Sequence, residues 1–325
     1  MLFLKNFVIY ATDLFLRFEE KQKRRAPIIY VLISSLCFSL VSLCVKFSLT
    51  IPPYQSIYDR AVLILSLTTV LISGGNYLIF TKSRKTNNIL LTRGMVSGIC
   101  LSFFFHALYL LPLSYFAVLQ RLTPIYIGIL GFLFYKEPYK LLQLSMTFTS
   151  LIGVLLIVQP PFLFGRNEQT TKEFDDILLG TIFLVLSNVG VAFIFLTMKS
   201  LKNRTNVVVI VFYTNLINLI VSGVGQNFEN PKELNSYEYM MVFFSGLLSF
   251  FGQLTRSRAL LLEKAFLISI LTYSQIILSY LFDFLLLDSK INIFGNCGIL
   301  IVVISMVYLL YKEGIDASHY HMLFI

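Results

Sequence analysis

The sequence contains no tryptophan, although 31 of its 325 residues are Phe and 18 are Tyr. Charged residues are also scarce, at 13%, whereas hydrophobic residues make up 57%. A water-soluble domain does not need so much apolar surface and cannot hide it in one core. The composition therefore excludes a soluble fold and predicts a membrane protein whose aromatic anchors at the lipid interface are tyrosines.

Cysteine is nearly absent as well. The four cysteines, Cys37, Cys44, Cys100 and Cys297, all fall within apolar runs, and no CxxC pair occurs. Neither a disulfide bond nor a zinc site is predicted from this pattern. The sequence also lacks a phosphate-binding loop and a nucleophile–base motif. Enzyme activity, a metal site and a cofactor are therefore not expected.

Ten segments are long and apolar enough to cross a bilayer. A spanning helix needs about 20 mostly apolar residues, because the hydrocarbon core is about 30 Å thick and each residue rises about 1.5 Å. Helices are expected because lipid offers open backbone groups no partner, and these runs do not alternate like barrel strands. The predicted spans are Pro27–Leu49, Tyr54–Gly74, Gly94–Leu111, Leu113–Phe134, Leu141–Pro160, Ile177–Ser200, Asn206–Val224, Tyr239–Leu261, Ala265–Leu287 and Ile291–Tyr311.

Lys and Arg are concentrated on one side of this arrangement. If the N-terminus is cytoplasmic, most of the 26 basic residues flank the inner ends of the spans, including Arg93 before the third span. The positive-inside rule then places both termini in the cytoplasm. The sequence does not distinguish the plasma membrane from an endomembrane. The net charge of +9 follows from this bias and does not indicate nucleic-acid binding.

The two halves of the chain repeat one another. Gly94 recurs as Gly246, and Lys46 recurs as Lys199, with offsets of 152 and 153 residues. A duplicated hydrophobic unit indicates a repeat-built membrane transporter. Because each unit has five spans, an odd number, the second copy must enter the membrane inverted. The sequence therefore predicts an all-α integral membrane protein with ten transmembrane helices in two inverted five-helix repeats.

The predicted organisation has five parts. The first 26 residues lack a small-residue cleavage pattern and resemble an interfacial helix, with a mitochondrial presequence as the alternative. The parts are an N-terminal interfacial helix with a basic cytoplasmic segment (1–26), a first repeat (27–160), a non-cytoplasmic linker (161–176), a second repeat (177–311) and a cytoplasmic tail (312–325).

One segment carries a family resemblance. Leu110–Lys140, LLPLSYFAVLQRLTPIYIGILGFLFYKEPYK, resembles the signature of the EamA-type drug/metabolite transporter superfamily. A short turn follows the third span, Pro124 lies in the fourth, and the acidic Glu137 precedes the fifth. Asp288 stands where the second repeat of the family has Glu, and Arg121 is not part of the family pattern.

Two stretches in the second half of the chain make the resemblance more specific. The sequences SGLLSFFGQLTRSRALLLEKA and LTYSQIILSYLFDFLLLD are most similar to the eukaryotic solute carrier family 35, subgroup G. The likeness covers about residues 27–311. It implies a two-repeat carrier that moves a small organic solute across the bilayer by alternating access, without an organic cofactor.

Polar residues in the spans are the candidate solute ligands. The first hypothesis is a secondary transporter, either an exchanger or a symporter. The basic character of these residues favours an anionic or zwitterionic metabolite as its solute. The alternative is a non-transporting membrane scaffold or assembly subunit, whose buried charges would all be paired. Asp59 and Asp283 are predicted to couple transport to an ion or to form ion pairs. The predicted substrate-binding residues are Lys46, Arg60, Gln120, Arg121, Tyr213, Gln253, Arg256 and Gln275.

Arg121 is the most informative of these residues. An unpaired charge near a helix centre costs about 2.5–3.5 kcal/mol on insertion scales, so this side chain should face a cavity or an acid. Binding an anionic group of the solute and pairing permanently with Asp59 or Asp283 both remain open. Pro124, one turn later, removes a hydrogen bond to the carbonyl of Gln120 and predicts a bend.

Overall fold

The computed structural model describes residues 17–22, 25–48, 51–75, 77–81, 83–136, 141–159, 174–286 and 293–322, except for the side chains of 113, 114, 174, 283 and 313–322. Every regular element in these ranges is helical. Short 3₁₀ turns span Gln120–Leu122 and Gln226–Phe228. The α-helices are α1 (Ala26–Phe47), α2 (Pro53–Gly75), α3 (Arg84–Leu110), α4 (Leu113–Leu119), α5 (Thr123–Tyr135), α6 (Leu141–Val158), α7 (Phe174–Leu201), α8 (Val207–Gly225), α9 (Ser236–Leu262), α10 (Ala265–Leu271), α11 (Ser274–Leu286) and α12 (Ile293–Met322).

Within the described ranges, nine helical stretches are long and apolar enough to cross a membrane. Two of them combine short helices across a break, α4 with α5 and α10 with α11. The helix α9 is not one of the nine. It has 27 residues, enough for about 40 Å, but its second half carries Gln253, Arg256 and Arg258. The fold is that of a multi-pass helical membrane protein.

The main helix contacts join the two halves of the chain. The first helix of each half packs against the third helix of the other half, so that α1 lies on α9 and α7 lies on α3. The second helices, α2 and α8, contact each other, as do the fifth helices, α6 and α12. In the fourth spans, α5 contacts α10. Exchanging the two halves leaves this pattern of contacts unchanged.

The helices α2 and α8 run antiparallel. At one end, Gly225 at the end of α8 lies against the ring of Tyr54 at the start of α2. At the other end, the hydroxyl of Tyr213 near the start of α8 donates to the carbonyl of Ile79, which follows α2 (3.3 Å). The second helix of the first half and its counterpart in the second half therefore point in opposite directions.

The same holds for α6 and α12. The hydroxyls of Ser150 and Ser305 are hydrogen-bonded at 2.6 Å. One turn later in α6, Gly153 lies against Gly298, which comes before Ser305 in α12. A Cβ atom on Gly298 would lie 2.5 Å from the carbonyl oxygen of Gly153. Close backbone contact between glycines is a common way for helices to associate in lipid, where packing replaces the hydrophobic effect.

Polar contacts tie the ends of α2 and α9 to the other half. At one end, the carboxylate of Glu229 accepts a hydrogen bond from the backbone N–H of Tyr54 at the start of α2 (3.0 Å). Burial raises the pKa of Glu229, although backbone N–H groups favour its ionised form. At the other end, Glu19 accepts hydrogen bonds from Nε of Arg258 (2.8 Å) and from the hydroxyl of Tyr30 (3.1 Å).

One predicted boundary is wrong. The helix α3 begins at Arg84 rather than at Gly94, so Arg93 lies inside the helix and not in the basic connection before it. Arg93 is only 6% exposed, and its Nη1 donates to the hydroxyl of Thr214 on α8. The apolar run starts late because the first turns of α3 are polar, and hydropathy alone cannot distinguish a polar helix end from a loop.

Candidate functional site

The span formed by α4 and α5 and the span formed by α10 and α11 are both interrupted, and the two interruptions meet. In the first, the 3₁₀ turn Gln120–Leu122 separates α4 from α5. In the second, Thr272 and Tyr273 form a turn between α10 and α11. The hydroxyl of Tyr273 donates to the carbonyl of Arg121 at 2.7 Å, so the second break caps the first. The first of these paired breaks lies where Pro124 predicts a bend, and the second lies at the equivalent position of the other repeat, about 152 residues later.

Side chains satisfy the open backbone groups of the first break. Asn188 on α7, which is 3% exposed, donates from Nδ2 to the carbonyl of Leu119 (2.9 Å). The hydroxyl of Thr123 lies 3.0 Å from the carbonyl of Gln120 and 3.2 Å from Oδ1 of Asn188. An interrupted helix in lipid needs such partners, because an open backbone group in hydrocarbon costs several kcal/mol. Asn188 therefore holds the broken helix in place.

The second break is held from α1 and α9. The hydroxyl of Ser39 donates to the carbonyl of Gln275 at 2.9 Å. The guanidinium of Arg256 donates to the side-chain oxygen of Gln275 (3.3 Å) and to the hydroxyl of Ser34 (3.0 Å). It also lies over the ring of Phe38, 4.2 Å from the centroid. Arg256 is thus held by neutral groups and a ring, and it makes no ion pair with any acidic side chain that the structure describes.

Positive charge accumulates around the paired breaks. The guanidinium groups of Arg121 and Arg256 are both half-buried and lie close enough to interact electrostatically. No carboxylate that the structure describes pairs with either of them. Two like charges in a medium of low dielectric constant repel strongly unless an anion lies between them. Among the described residues, no carboxylate offsets this repulsion, and the side chain of Asp283 lies outside the description.

A buried amide pair extends this polar region along α9. The side-chain oxygen of Gln253, one turn before Arg256, accepts a hydrogen bond from Nδ2 of Asn215 at 2.7 Å. Asn215 lies on α8 and is 2% exposed, whereas Gln253 is half-buried. Of the predicted ligands, Gln120, Arg121, Gln253, Arg256 and Gln275 therefore surround the paired breaks or lie one turn from them.

The structure shows different contacts for the other predicted residues. Arg60 on α2 donates from Nε to the carbonyl of Ser56 in its own helix (3.0 Å) and lies near Cys44 of α1. Lys46 is exposed at the end of α1, and Tyr213 is buried with its hydroxyl on Ile79.

The two predicted acids give no support for an ion pair. Asp59 is half-buried on α2 and makes no ion pair with any residue that the structure describes. Asp283 lies in α11, and its side chain falls outside the description. Glu137 and Asp288, which belong to the resemblance, also lie outside the described residues.

Sequence reasoning missed two residues of the site. Asn188 could have been noticed as a lone amide in the apolar run of α7, but nothing in its neighbours indicates that it holds the break of another helix. Ser34 is one of several serines in α1 and carries no distinguishing signal. Their roles depend on the rotation of each helix, which hydropathy does not specify.

The profile of the EamA-like transporter family matches residues 25–159 and again residues 178–311. The chain belongs to the EamA-like transporter family. Both matches begin and end near the predicted repeats, and together they cover most of the chain. Membership establishes a multi-pass membrane protein of a transporter family and leaves the solute open.

Full-length relatives agree with this assignment. The mouse protein "Solute carrier family 35 member G1" is 24% identical over 301 residues, which is 89% of this chain and 80% of the relative. Its human counterpart is 24% identical over 90% of this chain and 82% of the relative. The similarity to solute carrier family 35, subgroup G, is thereby confirmed. The "Pseudopaline exporter CntI" of Pseudomonas aeruginosa is 23% identical over 89% of this chain and 98% of its own.

A solved crystal structure shares the fold. It aligns with a TM-score of 0.73 and 13% sequence identity, covering 88% of this chain and 98% of that chain. At this identity the likeness concerns the path of the backbone alone.

Proposed function

We propose that this chain is a secondary active transporter, an exchanger or a symporter, which moves a small anionic or zwitterionic metabolite by alternating access. The observation that carries the proposal is the pair of arginines at the helix breaks, Arg121 and Arg256, without a described acidic partner. A charge held in a membrane interior without a counter-ion is costly, so such residues are retained where a ligand compensates them.

The proposed topology has ten spans in two inverted repeats, residues 27–160 and 177–311, with both termini cytoplasmic and the linker 161–176 on the other side. The antiparallel contacts of α2 with α8 and of α6 with α12 support inversion. The span that this proposal adds to the nine is α9, the eighth in chain order. Its polar half faces the paired breaks through Arg256, which accounts for its lower hydropathy.

The proposed mechanism follows from these contacts. The breaks in the fourth and ninth spans meet through a hydrogen bond from the hydroxyl of Tyr273 to the carbonyl of Arg121. Each half-helix can therefore tilt about its break while the other half-helix stays packed. Repeats of this kind alternate access by rocking against each other around a fixed midplane site. Arg121 and Arg256 would hold the anionic group of the solute, and Gln120, Gln253 and Gln275 would orient its uncharged polar groups.

Uptake by proteoliposomes tests this proposal. Purified chain would be offered radiolabelled carboxylates, amino acids, phosphorylated sugars and nucleotides, each with and without the same unlabelled solute inside the vesicle. We expect trans-stimulated uptake of at least one anionic or zwitterionic solute, and its loss in Arg121→Ala at unchanged melting temperature. Uptake confined to cationic solutes would contradict the proposed charge. A lack of uptake across the panel, with Arg121→Ala unable to fold, would favour the scaffold alternative.

A further inference from the structure

A cavity lies apart from the paired breaks. It has a volume of about 540 Å³ and is enclosed by the start of α3 and the ends of α5 and α7. None of the predicted solute ligands lines it. Its polar lining residues are Lys85, Asn88, Thr92, Tyr135, Thr197 and Ser200.

The cavity opens toward the bilayer. On α3, Thr92 is followed on the same helical face by Met95 and Ile99, which are 55% and 53% exposed. On α5, Phe132 lies three residues before the lining residue Tyr135 and is 58% exposed. In a spanning helix, apolar side chains with this exposure face lipid. The polar cavity thus continues directly into a lipid-facing apolar stripe.

Hydrogen-bond donors in the cavity are available to a ligand. The side chains of Lys85, Asn88 and Thr92 are exposed and make no hydrogen bond with any residue that the structure describes. The opposite wall is already ordered, because the hydroxyl of Tyr135 is hydrogen-bonded to that of Ser200 (2.9 Å). One wall is therefore rigid, and the other presents an ammonium, an amide and a hydroxyl group.

The charge of the cavity favours an anion. Lys85 lines it, while Arg84 and Lys136 are exposed and adjacent in sequence to the lining residues Lys85 and Tyr135. Its described lining contains no acidic side chain. Basic pockets between membrane helices bind the headgroups of anionic lipids, and each Lys or Arg contributes about 1 kcal/mol near an anionic surface.

The other repeat provides an internal control for this inference. Residues at the equivalent positions, 152 or 153 away, are mostly large and apolar, so the duplicated fold does not require a polar lining here. Three of them are exposed to the surroundings: Tyr237 (50%), Met240 (45%) and Phe244 (48%). The equivalents of Lys85, Asn88, Thr92, Thr197 and Ser200 are Tyr237, Met240, Phe244, Cys44 and Phe47.

We infer that this cavity binds the headgroup of an anionic phospholipid, with one acyl chain along Met95 and Ile99. The lateral opening selects a lipid over a soluble phosphate, since the apolar stripe would contact only an acyl chain. The site lies at the membrane face that carries the basic connections of the chain, and it does not depend on transport by the paired breaks.

Lipid titration tests the inference. Full-length protein in phosphatidylcholine nanodiscs would be compared with protein in nanodiscs of increasing phosphatidylserine content, with the melting temperature and the retained lipid as readouts. We expect phosphatidylserine to raise the melting temperature and to remain bound through purification. Lys85→Gln should weaken this response about fivefold, which is the equivalent of about 1 kcal/mol. The control Tyr237→Gln, at the equivalent position of the other repeat, should respond like wild type.

Two results would overturn the inference. The first is an equal response of wild type and Lys85→Gln when both have the same melting temperature in phosphatidylcholine alone. The second is equal stabilisation by soluble glycerophosphoserine, which has the headgroup without acyl chains and would identify an aqueous anion site instead. If Lys85→Gln is already unstable in phosphatidylcholine, Thr92→Leu measures the same site, and an unchanged response in that variant also counts against lipid binding.

Discussion

The two helix breaks share a backbone design and differ in charge. Arg121 at the first break corresponds to Tyr273 at the second, 152 residues later, and Arg60 corresponds to Tyr213. In the other direction, Arg256 corresponds to Phe104, which lies in an aromatic cluster with its ring 4.9 Å from that of Phe116. Each arginine thus has an aromatic partner in the other repeat. The duplication supplies the two breaks, whereas later divergence sets where the charge lies.

This asymmetry has a physical reason. Duplicating every arginine would crowd like charges into a small volume of low dielectric constant, where their repulsion is strong. An aromatic residue at the equivalent position keeps the helix packing and removes the charge. Tyr273 also adds a hydrogen bond to the carbonyl of Arg121, so the uncharged repeat supports the charged one.

The largest expected effect comes from making the two breaks alike. Arg121→Tyr removes the charge but keeps a large side chain, and we expect at least a tenfold loss of uptake. A hydrogen bond to a charged group contributes about 1.5–3 kcal/mol, and 1.4 kcal/mol corresponds to a factor of ten. Initial uptake rates in proteoliposomes measure the effect. Arg258→Gln, an arginine paired with Glu19, is the control and should retain uptake. Equal losses in the two variants would show that the charge of Arg121 contributes no more to uptake than the charge of Arg258.

The next largest effect concerns the contact between the fifth helices. Gly298→Val would push side-chain atoms into the backbone of Gly153, and overpacking of this kind costs about 1–3 kcal/mol. We expect a lower melting temperature in detergent. Gly131→Ala is the matched control, because its added Cβ meets nothing closer than 3.7 Å. Equal melting temperatures for the two variants would mean that α6 and α12 do not pack through their glycines.

A third experiment compares the supports of the two breaks. Asn188→Ala removes the donor to the carbonyl of Leu119 and one of the two acceptors near the hydroxyl of Thr123, which should cost about 1–3 kcal/mol. Ser39→Ala removes a single donor from Gln275 and should cost about 1 kcal/mol. Thermal or chaotrope unfolding in detergent measures both. A larger loss in Ser39→Ala would reverse the order that the contacts predict.

The smallest effect is expected where Glu19 meets Arg258. Their side chains are 12% and 35% exposed, so solvent screens the pair, and Glu19→Gln should cost no more than about 1 kcal/mol. The loss should shrink as salt is added, because screening weakens the pair in the wild type too. Melting temperatures at low and high salt provide the measurement. A loss that does not depend on salt would assign the contribution of Glu19 to its hydrogen bond with Tyr30 instead.

Much of the fold could be predicted from the sequence, because the signals are local and accumulate along a segment. Apolar runs located the spans, and Pro124 located the first break within one turn. The repeat offset of 152 residues relates that break to the second one at Tyr273. The start of α3 was missed because polar helix ends resemble loops, and Arg93 was misplaced for the same reason.

The sequence by itself determined a membrane protein of duplicated helices with two interruptions at matching positions, since hydropathy and proline act on their own segment of the chain. Only the tertiary structure decided that Arg256 meets Gln275, that Asn188 holds the break beside Leu119, and that Arg60 bonds to Ser56 in its own helix. Such partners depend on how each helix is rotated and how deeply it lies against its neighbours. Those two quantities are set by packing among all the helices together, so no single segment encodes them.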